Sequence, residues 1–167
     1  HGLWQKQSLF EESARVPLVI VVPQSRSKGK RSHTVELVDL APTLCDLCGV
    51  PAPTGFEGRS LAPLVTGDDA AHQNFPDRPA FTEVARGGVR GVSARSGRWR
   101  YTLWNGGKAG RELYDHETDP RELENLAERP EHADTISRLE AVIKDVFGND
   151  LGPSVTPPGK NKKRQPA

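Results

Sequence analysis

The chain has 167 residues, of which 35% are hydrophobic and 27% charged, with a mean hydropathy of −0.61, a balance that supports a packed core and excludes wholesale disorder. Its longest apolar run, Leu18 to Val22, falls far short of the roughly 20 residues a membrane-spanning helix requires, and no membrane partner is expected. The formal charge is +1, but Lys160, Lys162, Lys163 and Arg164 sit in a C-terminal stretch with no acid, so the body is mildly acidic and the tail basic. Sixteen glycines and 14 prolines predict many turns. The chain opens on His1 and contains no methionine; it is expected to be a fragment or a processed product.

Ser8 and Glu11 have the spacing of a capping box, and Glu11 with Arg15 that of an i,i+4 ion pair, predicting a short helix over 9–15 that Pro17 stops. Leu18-Val19-Ile20-Val21-Val22 lacks polar alternation and reads as a strand covered on both faces. The polar, basic residues 23–33 read as an exposed loop. A short strand is expected over Thr34–Val38, then a helix capped by Asp39, with Leu40, Leu44, Leu47 and Cys48 as its apolar positions and Gly49 as its stop. A further helical turn follows Ser60 and ends at Gly67, and residues 68–79 read as a surface connection.

From residue 80 the pattern becomes antiparallel: strands over 80–85, 89–94 and 98–104, with Ser96-Gly97 as a tight turn. In the last of these Trp99, Tyr101 and Leu103 alternate with Arg98, Arg100 and Thr102, which predicts one greasy and one cationic face. Residues 105–110 read as a loop, 112–114 as a short strand, and Asp119-Pro120 with Glu122 as a helix start. Ile136, Leu139, Ile143, Val146 and Phe147 form an apolar stripe over 131–147, so this helix should pack on the greasy face. The tail from residue 149 is expected to be disordered.

His1-Gly2-Leu3-Trp4-x-Lys6 with Leu9-Phe10-Glu11-Glu12 and Arg15-Val16-Pro17-Leu18, Val35 to Leu44 (Val-Glu-Leu-Val-Asp-Leu-Ala-Pro-Thr-Leu), Glu57-Gly58-Arg59-Ser60-Leu61, Arg98 to Thr102, Glu112 to Asp115 and Asp119-Pro120-x-Glu122-x-x-Asn125-Leu126 together resemble the C-terminal third of the type I sulfatases, in particular the iduronate-2-sulfatase-like branch of the alkaline-phosphatase superfamily. The resemblance implies an α/β class: the C-terminal end of the catalytic domain over 1–67, a connection over 68–79, a small α+β subdomain with an antiparallel sheet and a packed C-terminal helix over 80–148, and the basic tail over 149–167. It also implies calcium-assisted hydrolysis of a sulfate ester by a formylglycine nucleophile made from the Cys or Ser of a C/S-x-P-x-R motif. That motif is absent, since Cys45 is followed by Asp-Leu-Cys and Cys48 by Gly-Val-Pro. The family's metal-binding pair would precede His1. Nucleophile, calcium site and the rest of the sulfatase domain are therefore expected upstream, and this chain alone is expected to bind neither cofactor and to be inactive.

By the same resemblance Lys6 is the sulfate-contacting lysine, a compact positive charge where an ester's negative charge develops, and His1 either lines the same pocket or caps the loop. The expected substrate is a sulfated small molecule or glycan, and the expected compartment is outside the cytoplasm or lysosome-like. Cys45-x-x-Cys48 is half of a zinc module without its other half, so both cysteines are read as small hydrophobes. The basic segments lack the interleaved aromatic residues of a nucleic-acid surface. Two alternatives stand beside the sulfatase reading: a non-enzymatic polyanion-binding module, and a phosphodiesterase or phosphonate hydrolase of the same superfamily.

Overall fold

The computed structural model describes residues 8–23, 25 and 27–152. Its centre is a four-stranded antiparallel meander, β1 (Ala80–Arg86), β2 (Val89–Ser96), β3 (Trp99–Trp104) and β4 (Arg111–Asp115), in spatial order β1-β2-β3-β4. Gly97 takes φ +51° in the β2–β3 turn, where a side chain would be strained. Val92 faces Leu103, and Ala94 faces Tyr101, which in turn faces Leu113. These residues form the apolar face. The long helix α5 (Ala133–Phe147) covers it with Ile136, Leu139 and Ile143, while Phe147 meets Phe81 edge-on at 5.6 Å. Val146 points outward. The core also takes in Leu126, Ala127 and Leu151, so ordered packing continues past residue 149, where the tail was expected to begin. Residues 153–167 lie outside the described residues.

The opposite face departs from the expected cationic surface. Arg100 is 2% exposed and Thr102 1% exposed, because the segment around the short helix α1 (Glu11–Ala14) and the turn at 116–122 lie over them. The helix expected from Asp119-Pro120 does not form either. Asp119 Oδ2 accepts from the amides of Leu123 and Glu124 at 2.6 and 2.8 Å, closing a turn, and Glu122 takes φ +55°, which carries its carboxylate under the sheet. A right-handed helix would not allow that dihedral.

The N-terminal elements are α2 (Leu40–Leu47), α3 (Ala62–Thr66) and α4 (Asp69–Gln73). No strand forms at 18–22: Val19 and Val21 are more than 80% exposed, and no described residue supplies a pairing partner. A strand without neighbours has no place for its backbone donors and acceptors except water. The strand expected over 34–38 is replaced by a 3-10 turn at Leu37–Asp39, closed by reciprocal bonds between Glu36 and Asp39. Asp39 therefore does not cap α2. Its fully buried carboxylate accepts from the amides of Glu36 and Arg59, each at 2.9 Å, and from Arg78. Glu36 also accepts from the Phe81 amide at 2.8 Å and pairs with Arg78 at 3.0 Å, which ties this turn to β1.

Thr43 fixes the rotation of α2. Its hydroxyl donates to Asp39 O and accepts from the Leu61 amide at 2.8 Å, turning Pro42 and Thr43 inward. Leu44 and Cys48 consequently face solvent and Cys45 is half-buried, so the expected hydrophobic role of the two cysteines is not met within the described residues. Gly58 is required beside this turn, since a Cβ there would stand 2.0 Å from the Val38 carbonyl oxygen.

Candidate functional site

The site residues expected from the sequence, Lys6 and His1, lie outside the described residues. What the structure does describe is the ground on which the following segment rests. Arg100, on the central strand β3, is the hub: its Nε donates to Glu122 Oε1, its Nη2 to Glu11 Oε2, and its Nη1 approaches Ser93 Oγ at 3.4 Å. His116 Nε2 lies 2.7 Å from Glu122 Oε1; a carboxylate only accepts, so the imidazole N–H is the donor. The other oxygen of Glu122 accepts the backbone N–H of Glu11 at 2.7 Å. Arg95, the cross-strand neighbour of Arg100, adds a second cation 3.5 Å from Glu11.

Two acids therefore sit among two guanidiniums and an imidazole. Burial alone would raise the Glu122 carboxyl, but the His116 hydrogen bond, the Arg100 charge and the Glu11 amide outweigh it and hold it below the usual carboxylate range. Burial pushes the Arg95 guanidinium down, with nearby Arg100 adding to the push and Glu11 opposing it. At the turn end of β3, Arg98 grips Asp115 through two nitrogens, and the Asp115 carboxyl falls to about 2, mainly through that hydrogen bond. Glu112 differs. Burial raises its carboxyl although Trp104 Nε1 donates to it at 3.0 Å.

Beside the network opens a cleft of about 680 Å³ whose walls include His33, Phe75, Asp77, Arg95, Arg98 and His116. His33 and Phe75 meet edge-on at 5.6 Å, and the Arg59 guanidinium lies 4.3 Å from the Phe75 ring centroid.

Glu11, His116 and Glu122 place three metal-competent atoms within 4.8 Å of one another. They do not fit calcium, which takes six to eight oxygen ligands, because one donor is an imidazole nitrogen and both carboxylates already serve Arg100. The same set does not form a nucleophilic triad. Ser93 Oγ takes Thr102 Oγ1 at 3.0 Å and faces Arg100, so no base stands ready for its proton. The arrangement neutralises charge and fixes position. The parts of Arg100 and Glu122 were hidden by the helix expected to start at Asp119-Pro120, although Arg100 and Glu122 both fall in the motif set.

Comparison with known proteins agrees with this architecture. Residues 1–148 match the family model described as N-sulphoglucosamine sulphohydrolase, C-terminal. Arylsulfatase K of Rattus norvegicus is 33% identical over 133 residues, covering 76% of this chain and 24% of the relative. A Delta 4,5-hexuronate-2-O-sulfatase of Bacteroides thetaiotaomicron is 32% identical over 142 residues, covering 83% of this chain and 29% of the relative. Among solved structures, that of a 2-O GAG sulfatase superposes with a TM-score of 0.58 at 33% identity, over 67% of this chain and 24% of that one. The chain thus spans 24% and 29% of the length of these two relatives. Its sequence and its sheet-and-helix fold place it in one family: the chain belongs to the C-terminal region of the sulfatases, the N-sulphoglucosamine sulphohydrolase C-terminal family.

Proposed function

We propose that the protein containing these residues hydrolyses sulfate esters of a sulfated glycan, and that it lies in the iduronate-2-sulfatase-like branch. The observation that carries this reading is the family match across residues 1–148, joined by relatives whose names include hexuronate and GAG sulfatases. Residues 1–67 complete the catalytic α/β domain, and 80–148 form the C-terminal subdomain. The exposed apolar residues Val19, Val21, Leu37 and Leu44 supply a surface for the upstream part of that domain, which holds the formylglycine and calcium sites. Export or a lysosome-like compartment follows from the same resemblance.

Lys6 carries the chemistry assigned to this chain. Its ammonium stabilises negative charge on the sulfate group and leaving oxygen, with His1 at the edge of the same pocket. Restoring the upstream sequence and comparing Lys6→Ala with the parent enzyme on a small sulfate ester tests this. A fall in kcat/KM of about 10²–10³-fold, or about 2.7–4 kcal/mol, is the scale of losing one preorganised donor. Retention of kcat/KM with an unchanged circular dichroism spectrum overturns the role of Lys6. Turnover of a phosphonate or phosphate diester in preference to the sulfate ester overturns the reaction class.

A further inference from the structure

The cleft beside the Arg100 network lies where separate stretches of the chain meet, and its volume of about 680 Å³ falls within the roughly 300–1,000 Å³ usual for ligand sites. One wall is rigid. Gly97 turns the chain at φ +51° between β2 and β3, and next to it Arg98 is gripped by Asp115, whose carboxylate also accepts from the Glu117 amide at 3.1 Å and the Thr118 hydroxyl at 3.0 Å. The other wall carries residues 32–34 and the end of α4 with the turn after it. Asp68 caps α4 by accepting from the Ala71 amide at 2.9 Å, and Arg59 holds the turn, donating to Pro76 O and lying over the Phe75 ring. The polar groups of this second wall are uncommitted. Among the described residues the side chains of Ser32, Thr34 and Gln73 make no hydrogen bond, and the Asp77 carboxylate makes neither a hydrogen bond nor an ion pair. His33 is bonded at neither nitrogen within the same set, although its Nδ1 is buried, and a buried polar atom without a partner calls for one.

We propose that this cleft binds unsulfated saccharide, with a uronate-bearing unit set against Arg98. Charge argues against a polyanion. The guanidiniums of Arg95 and Arg98 are matched in the walls by Asp77 and Glu117, and both are already engaged, Arg95 by Glu11 at 3.5 Å and Arg98 by Asp115. An apolar ligand finds one phenyl ring, Phe75, in walls that are otherwise polar. A sugar fits both conditions. Its hydroxyls donate and accept, which suits the hydroxyls of Ser32 and Thr34, the amide of Gln73 and the acceptor Asp77, while its C–H edges rest on Phe75. Glu117 is the replaceable member of the site: its side chain is 65% exposed and meets Arg98 Nη1 at 3.0 Å. An exposed pair of that kind contributes little, so a sugar carboxylate takes its place at small cost and leaves the charge balance of the cleft unchanged.

The test uses the full-length protein and a hyaluronan tetrasaccharide, an unsulfated chain of alternating uronate and N-acetylhexosamine units. Affinity is read by calorimetry, and hydrogen exchange is followed over residues 32–34, 73–77 and 95–98. The expected result is binding at millimolar tetrasaccharide with slower exchange in those segments. Gln73→Ala should weaken it by about 2–10-fold, the scale of one hydrogen bond. Glu117→Gln removes the acid that competes for Arg98 and should tighten it by about 2–5-fold. Both side chains are exposed, so the fold does not depend on them, and a general loosening of the cleft would not produce effects of opposite sign. Absence of binding at millimolar tetrasaccharide, equal affinity in the parent and both variants, or weaker binding in Glu117→Gln overturns the proposal. Tighter binding of dextran sulfate with protection of the same segments also overturns it, because the cleft is then a polyanion site. Binding is read without turnover, so the sulfatase reading survives a failure of the cleft, and a parental kcat/KM in Lys6→Ala leaves the cleft standing.

Discussion

The Glu122 carboxylate accepts the backbone N–H of Glu11 at 2.7 Å, although the two residues are 111 positions apart. Between them Arg100 bonds to both acids. One buried guanidinium thus closes the second face of the sheet with charge, whereas the first face is closed by α5 with aliphatic side chains.

Because Arg100 is the shared partner, its loss strands two acids in a place built for three charges. Arg100→Met keeps much of the side-chain volume but leaves Glu122 and Glu11 facing each other, and breaking a buried pair in this way costs about 3–5 kcal/mol. Urea unfolding of the 167-residue chain should show a lower midpoint with an unchanged slope, the extrapolated unfolding free energy falling by that amount. A midpoint equal to that of the parent chain would show that Arg95 and His116 suffice to neutralise the acids.

Gly58 gives a sharper prediction, because its neighbour is backbone and cannot rotate away. An alanine Cβ would stand 2.0 Å from Val38 O and 2.4 Å from Val38 C, so the 3-10 turn must move and take with it the bonds of Asp39. Gly58→Ala should destabilise the chain by about 1–3 kcal/mol, the usual cost of overpacking, read as a lower Tm in calorimetry. Gly87→Ala, with φ +58° but nothing within 4 Å of its Cβ, shows the cost of left-handed backbone without a clash. An unchanged Tm in Gly58→Ala would rule out the steric account.

The β-meander and α5 were legible because their periodicities are local: Tyr101 and Leu103 alternate with Arg100 and Thr102, and Ile136, Leu139 and Ile143 recur at helical spacing. Local pattern also gave the small helices around Leu40–Leu47 and Ala62–Thr66. It failed wherever a polar side chain is claimed by a distant partner. Asp39 has the look of a helix cap, yet Arg59 and Arg78 draw its carboxylate inward. Asp119-Pro120 has the look of a helix start, yet Glu122 is drawn to Arg100. Asn125 turns out to extend β4, accepting the Leu113 amide at 3.0 Å and donating to Arg111 O at 3.1 Å. The partners in these pairs lie 12 to 39 positions apart, beyond the three- and four-residue spacings by which caps and helix starts are read. The Leu18–Val22 run failed differently, since a strand pattern specifies a structure only when neighbouring strands are present to pair with it.

The Arg98–Asp115 pair predicts the acid limb of stability. The Asp115 carboxyl is held at about 2 in the folded chain, below the roughly 3.9 of an unperturbed aspartate. A depressed acid stabilises the fold above its unfolded value, and that stabilisation is lost as pH falls from about 4 to about 2. The same sign applies to Glu122, whose carboxyl is also lowered. Asp115→Asn should therefore lower Tm at pH 7 and flatten the Tm profile between pH 4 and 2. Since the Arg98 side chain is 41% exposed, 0.5 M salt should shrink the difference. A parallel displacement of the two profiles at every pH would mean that Asp115 acts by shape and hydrogen bonding rather than by charge.

The chain alone should show no sulfate-ester hydrolysis above buffer, with or without calcium. Hydrolysis needs a nucleophile held by a base and an electrophilic group that receives the leaving oxygen's charge. The sequence contains no C/S-x-P-x-R from which a formylglycine would be made. Among the described residues, His116 is committed to Glu122 and Ser93 to Thr102 and Arg100. Calcium has no fitting cage in Glu11, His116 and Glu122, because it would have to displace Arg100 and accept an imidazole in place of oxygen. Purified residues 1–167 incubated with an aryl sulfate, with and without millimolar calcium, provide the measurement, and a Lys6→Ala chain serves as the contamination control. Calcium-dependent turnover that the Lys6→Ala chain lacks would mean that residues 1–167 carry an active site of their own, and the proposal that the nucleophile and calcium site lie upstream would fail.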